Sequence, residues 1–252
     1  TEQNHDTQST YTFERHNGVE TDTLPRNGKG TPIKATGMTW SGFRPSDDAC
    51  EYGYLIPSNI FAVVVLRYLQ DIAREVLQDS NLEQEAYLLA EEIDKGIKEY
   101  GIYQHPEFGS IYAYETDGLG NYNLMDDANV PSLLSIPYLG YTSLDDPIYL
   151  NTRKMILSKE NPYFFSGKAA EGIGSPHTPS GYIWHIALVM EALTTSDEDE
   201  KMRILDLVES TDAGTYFMHE GFSADNPSEY TRPWFSWANA LFSELILGCC
   251  GL

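Results

Sequence analysis

Two regions of this sequence place carboxylates beside basic and aromatic residues. In the first, Asp47 and Asp48 follow Trp40 and Arg44 in Gly37-Met38-Thr39-Trp40-Ser41-Gly42-Phe43-Arg44-Pro45-Ser46-Asp47-Asp48-Ala49-Cys50. In the second, Glu220 stands between His219 and Gly221, and Glu229 precedes Arg232, Pro233 and Trp234. Such a composition suits loops that hold polar groups against the face of a sugar. Hydrolysis of a glycosidic bond takes two carboxyl groups: one protonates the leaving oxygen, and the other attacks the anomeric carbon or activates a water. The bland alternatives are a solvated or helix-capping pair at Asp47-Asp48 and a capping role for Glu229, just ahead of a helix start. Between Glu220 and Glu229 the residues alone leave the choice open.

Two further loops read as pocket walls. Met125-Asp126-Asp127-Ala128-Asn129-Val130-Pro131-Ser132 puts two carboxylates ahead of a predicted helix, where they could cap it or hold sugar hydroxyls; Asp127 is the favoured sugar ligand. A calcium loop is a third option, but Asp126, Asp127 and Asn129 lack its ligand spacing. Gly172-Ile173-Gly174-Ser175-Pro176-His177-Thr178-Pro179 presents His177 at a helix start, as a structural hydrogen-bonder or a ligand contact. No metal site is expected, since no His, Cys and carboxylate cluster has ligand spacing. No cofactor is expected, and no nucleophilic Ser, Cys or Lys pattern is present. His185 falls on an apolar helix face and reads as core. Cys50, Cys249 and Cys250 read as buried free thiols.

The 252 residues carry a formal net charge of -22. That surface repels phosphate backbones and excludes nucleic acid as a partner, while a neutral oligosaccharide meets no such penalty. Hydrophobic residues at 41% and charged residues at 21% are ordinary for a globular protein. No apolar run reaches membrane-spanning length.

Elements able to position these loops are helices. Apolar periodicity predicts them over 58–77, with Ser58 or Asn59 as cap, and over 82–99, 130–139, 146–158, 180–195, 198–210 and 235–248. Ser110–Tyr114 reads as a strand, and residues 1–10 as a flexible lead-in. Paired helices separated by long loops point to an all-α (α/α)6 toroid. These helices are too few to close six pairs, so the chain is expected to supply roughly the C-terminal half to two-thirds of a single glycosidase domain. The N-terminal half would come from elsewhere.

The stretch from Gly37 to Asn59 also resembles, without a gap, the motif of glycoside hydrolase family 125, the exo-α-1,6-mannosidases. The resemblance extends from about Tyr11 to the end. It is densest at residues 36–66, 121–141, 172–192 and 219–247. It implies a metal-independent enzyme that releases mannose from the non-reducing end of α-1,6-linked mannosides, such as N-glycans, with inversion. It implies Asp47 as general acid and Glu220, in preference to Glu229, as general base. It places Trp40, Arg44, Asp48, Asp127, His177, Arg232 and Trp234 around the sugar. Burial beside Trp40 is the expected means of raising the pKa of the acid. Another α/α-toroid glycosidase, or a binding or scaffold protein that kept the pocket and lost catalysis, is the rival reading.

Overall fold

The computed structural model describes residues 10–16 and 20–251. The lead-in assigned to residues 1–10 therefore lies, Thr10 apart, outside the described residues. The chain is helix-rich, with short antiparallel strand pairs in the loops. It falls into two compact units: residues 1–124 with 139–142, and 125–138 with 143–252.

In the first unit, helix α1 (Ile56–Ile72) packs against α2 (Ser80–Tyr100). The start of α1 differs from expectation. Pro57 occupies the first turn, where its missing N–H costs nothing, and neither Ser58 nor Asn59 caps the helix. The Asn59 amide is used elsewhere. It accepts from the Thr39 N–H at 2.7 Å and donates to the carbonyls of Thr39 at 3.0 Å and Leu55 at 2.9 Å, fastening the 38–40 segment to the helix. The last turn widens into a π-turn over Ala73–Leu77, ended by left-handed Gln78. Asp79 then caps α2 through the N–H groups of Asn81 and Leu82.

Helix α2 buries Ala86, Ala90, Ile93 and Ile97, a one-sided stripe at helical spacing. Gly96 on the same face is a contact requirement. A Cβ there would lie 2.5 Å from the Thr36 carbonyl and 2.8 Å from the Met38 side chain, so glycine lets the 36–38 chain rest on the helix. The predicted strand at 110–114 is one arm of a hairpin, Ile102–His105 against Gly109–Tyr112. A three-stranded sheet joins Tyr54–Leu55, Glu115–Thr116 and Tyr122–Asn123.

The second unit contains α3 (Pro147–Ile156), α4 (His185–Leu193), α5 (Glu198–Ser210) and α6 (Ser236–Cys249). Its core gathers Tyr149, Ile156, Trp184, Leu188, Val208 and Phe222, all buried. Asp197 caps α5 through the Asp199 and Glu200 N–H groups. The helix expected over 130–139 is absent. Pro131 and Pro137 leave only a short run between them, and the residue before a proline avoids the helical region. Tight turns form instead, Ser135 N–H to Ser132 O and Ile136 N–H to Leu133 O. Two of the cysteines also depart from expectation. Cys50 is buried, but Cys249 and Cys250 are exposed at the end of α6, whose last turn carries few buried positions. Among the described residues, no helix is long and apolar enough to cross a membrane.

Candidate functional site

The first carboxylate region is a tight loop closed at its base by an antiparallel bridge between Phe43 and Ala49. Arg44-Pro45-Ser46-Asp47 makes the turn, with the Asp47 N–H donating to the Arg44 carbonyl at 3.0 Å and Pro45 in its favoured second position. Asp47 then adopts φ 72, a left-handed conformation that Asp tolerates better than most residues. This twist turns neighbouring carboxylates in opposite directions. Asp47 is exposed, whereas Asp48 is 2% exposed and accepts from the Ser46 hydroxyl at 3.1 Å. The burial expected for Asp47 beside Trp40 is thus not found in this chain, because the loop tip points outward.

Asp47 opens on a cavity of about 280 Å³, whose other walls are Tyr11, Phe13, Arg15, Asp22 and Phe43. Phe13 meets Phe43 edge-on at 5.1 Å, and Tyr11 meets Trp40 edge-on at 6.0 Å. Trp40 packs against Gly53, where a Cβ would approach the indole to 2.5 Å. The glycine after Tyr52 is therefore what seats the indole of Trp40.

Arg44 points inward. Its Nε is 2.6 Å from Oε1 of Glu115, which is wholly buried. Burial alone would lower the Arg44 pKa, but the hydrogen bond and charge of Glu115 outweigh it and hold the guanidinium charged. The other oxygen of Glu115 accepts from the Glu51 N–H at 3.0 Å, the Tyr52 N–H at 3.2 Å and the Asn123 amide at 3.2 Å. Sequence reasoning overlooked Glu115. The available signal was a carboxylate inside an apolar, aromatic run, Tyr112-Ala113-Tyr114-Glu115-Thr116, where a buried charge requires a cation. Burial and Glu115 together push the Cys50 thiol well up, which leaves it inert.

The second carboxylate region is built by strand register. Gly221–Ser223 is the central strand between Tyr182–Ile183 and Tyr230–Thr231, with Gly221 opposite Thr231. One step further along this antiparallel pair brings Glu220 opposite Arg232. Arg232 Nε lies 3.0 Å from Glu220 Oε1, with Glu220 buried and Arg232 largely exposed. The backbone before Glu220 is held from several sides. His219 stacks flat on Tyr230 with ring centres 3.9 Å apart, and its ring nitrogens face the carbonyls of Pro233 at 2.8 Å and Asp212 at 3.1 Å. The His219 N–H donates to His185 Nδ1 at 2.9 Å. His185 Nε2–H is then the donor to the Thr211 hydroxyl at 3.1 Å. Burial lowers the His185 pKa to about 3 and keeps the ring neutral, so the core role read for His185 extends to holding this loop.

Glu229 is exposed and accepts from the Asn226 amide at 2.9 Å within its own turn, away from the strand end that carries Glu220. Trp234 and His177 are exposed. Asp127 is fully buried. It accepts from the Asn129 N–H and amide and, at 3.2 Å, from the Ser175 hydroxyl, so it ties the 125–132 loop to the loop that carries His177. Asp126 is also fully buried and caps the following turn through the Leu133 and Leu134 N–H groups at 2.8 and 2.9 Å. Burial pushes its carboxyl up to about 8 against the pull of those donors. Among the described residues, no group of three or more His, Cys, Asp or Glu side chains is arranged to hold a metal ion.

Elsewhere in the second unit a cavity of about 200 Å³ is lined by Glu171, Glu191, Glu200 and Arg203 among apolar side chains. Its walls include none of the site residues expected from the sequence. Burial pushes the Glu191 carboxyl up to about 7.

The profile of one protein family, described as metal-independent alpha-mannosidase (GH125), matches residues 1–247. Meiotically up-regulated gene 157 protein of Schizosaccharomyces pombe is 48% identical over 239 residues, covering 94% of this chain and 47% of that protein. A solved Streptococcus pneumoniae structure superposes with a TM-score of 0.95 at 51% identity, covering 97% of this chain and 58% of the other. That protein is described as one of a family of metal-independent alpha mannosidases that bear on the processing of N-linked glycans, and its structure is a non-productive substrate complex with α-1,6-mannobiose. The chain thus spans about half the length of the relatives it matches.

Proposed function

This chain belongs to glycoside hydrolase family 125, the metal-independent α-mannosidases, and we propose that the protein containing it removes mannose from the non-reducing end of α-1,6-linked mannosides with inversion. The observation that carries this reading is the likeness, at 51% identity, to a structure in complex with α-1,6-mannobiose.

Asp47 is the general acid. It delivers its proton to the glycosidic oxygen as the bond to the anomeric carbon breaks. Glu220 is the general base. It takes a proton from a water that attacks the same carbon from the opposite face, giving β-mannose. Exchange with solvent then restores a protonated Asp47 and an ionised Glu220. An inverting site needs its carboxyl groups about 6.5–9.5 Å apart to admit that water. Arg232 holds the Glu220 carboxylate in place through their ion pair. Trp40 and Trp234 offer apolar faces to a sugar ring, and His177 offers a polar edge. Arg44, Asp48 and Asp127 act from behind, holding the loops. No step calls for a metal ion. The chain supplies the C-terminal part of an (α/α)6 toroid, and the rest of that toroid completes the sugar site.

Proton NMR of the sugar first formed from α-1,6-mannobiose tests the proposal. β-Mannose should appear first and mutarotate later. Initial α-mannose would overturn the inverting mechanism, and binding without turnover would favour the inactive, carbohydrate-binding alternative.

A further inference from the structure

We infer that Glu115 is a positioning residue for the reaction, setting the place of the Asp47 carboxyl through Arg44. The inference rests on the reading of Asp47 as the acid. Glu115 has no exposed surface, so it touches no substrate. Its two oxygens divide their work. Oε1 takes Arg44 Nε at 2.6 Å. Oε2 takes the N–H groups of Glu51 and Tyr52 and the Asn123 amide, at 3.0, 3.2 and 3.2 Å. Glu51 and Tyr52 follow the acid loop directly, and Arg44 lies within it. One carboxylate therefore grips the loop through its interior and through the chain leaving it.

Arg44 passes that grip to the tip. Its N–H donates to the Asp48 carbonyl at 2.8 Å, and its carbonyl accepts from the Asp47 N–H at 3.0 Å. Arg44 thus meets the backbone on both sides of the Asp47 side chain, while its own side chain is fixed to Glu115. Its guanidinium also lies 5.5 Å from the centre of the buried Tyr114 ring, the residue before Glu115. The backbone that carries the Asp47 side chain is thereby tied on both sides to Arg44. An acid must meet the leaving oxygen within hydrogen-bond reach, and misplacement by about 1 Å can cost on the order of 10²-fold in rate.

Glu115→Gln isolates the Arg44 half of this grip. An amide can present its oxygen to only one set of donors. The three N–H donors outnumber Arg44, so the amide oxygen turns to them and the NH2 group faces Arg44 and releases it. The test measures kcat/KM of the full-length protein on two substrates. α-1,6-Mannobiose has a poor leaving group that needs the acid. α-Mannosyl fluoride has one that leaves without a proton. The expected result is a loss of roughly 10²-fold on mannobiose, with fluoride hydrolysis changed by only a small factor. Equal losses on the two substrates, or no loss, overturn the inference, because a purely structural lesion does not distinguish leaving groups. Should Glu115→Gln fail to fold, Arg44→Lys carries the test. It keeps the buried cation but lacks the planar guanidinium, and it should show the same dependence on the leaving group. Asp47→Asn is run beside them. If Asp47→Asn itself loses both substrates equally, the acid assignment falls and the role of Glu115 falls with it. If Asp47→Asn spares the fluoride while Glu115→Gln and Arg44→Lys do not, only the inference about Glu115 is lost.

Discussion

Arg232 and Glu220 meet at 3.0 Å because they flank a register pair of two short strands, and Arg232 does so with φ 43. A left-handed backbone at a non-glycine residue costs energy and persists only where its surroundings enforce it. Here the surroundings are the strand pair behind it and the Pro233 carbonyl held by His219. Arg232 should therefore matter through geometry as well as charge. Arg232→Lys preserves the charge on a flexible stem. It should lower kcat by roughly 10- to 10²-fold while leaving KM nearly unchanged. A rise in KM with kcat intact would show that Arg232 grips the sugar instead of aiming the base.

Glu220→Gln and Glu229→Gln should separate cleanly. On the proposed mechanism Glu220→Gln removes the proton acceptor for the attacking water, and turnover should fall by about 10² to 10⁴-fold. Glu229→Gln changes an exposed turn residue whose side chain accepts from the Asn226 amide, a bond that an amide oxygen can also accept. Its activity should stay near that of the wild type. A dead Glu229→Gln with an active Glu220→Gln would reassign the base while leaving the family unchanged.

The two carboxylate loops were legible in the sequence because each is a dense local run of unusual composition. The helices were legible where apolar spacing was long and uninterrupted, as over 198–210. Long-range pairings were not. Nothing in Glu115 announces Arg44, 71 positions away, and nothing in Asn59 announces that it binds Thr39 instead of capping its helix. The missing helix at 130–139 was a local error, since Pro131 and Pro137 outweigh the leucines between them. Asp47 and Asp48 look alike as letters. The φ of Asp47 is what gives one to solvent and the other to the interior.

Chelation should leave activity intact. Asp126 and Asp127 already accept hydrogen bonds from backbone and side-chain donors, and the family is metal-independent. Dialysis against EDTA followed by an assay with α-1,6-mannobiose checks this. A loss restored by calcium would turn the 126–129 loop into a metal site.

Glu191 makes stability depend on pH in a defined direction. Its folded carboxyl sits at about 7, above its unfolded value of 4.5. A raised pKa means that the folded state holds the proton more tightly, so this contribution is full below about pH 4.5 and is lost as pH rises through 7. Glu191→Gln cannot ionise. At pH 8.5 it should be more stable than the wild type by on the order of 1–3 kcal/mol, and the difference should shrink by pH 4.5, where the folded Glu191 carboxyl is itself neutral. Melting curves across that range decide it, and a gap independent of pH would refute the linkage.

Helix α1 carries a second apolar stripe. Phe61, Val65, Tyr68 and Ile72 recur at helical spacing and are 42–59% exposed. They are distinct from Ile56, Ile60, Val63 and Val64, which face the core. A continuous apolar stripe of this kind in water favours association. If the remainder of the toroid covers it, the 252-residue chain alone should self-associate, and the full-length protein should not. Sedimentation of the two forms checks this. Phe61→Ser together with Tyr68→Ser should make the isolated chain less prone to associate while destabilising the full-length protein by a few kcal/mol, of the order seen when large apolar side chains are cut from a core. A cooperative melt of an unmodified, monomeric 252-residue chain would show instead that the stripe needs no cover, and the partial-toroid reading would fail.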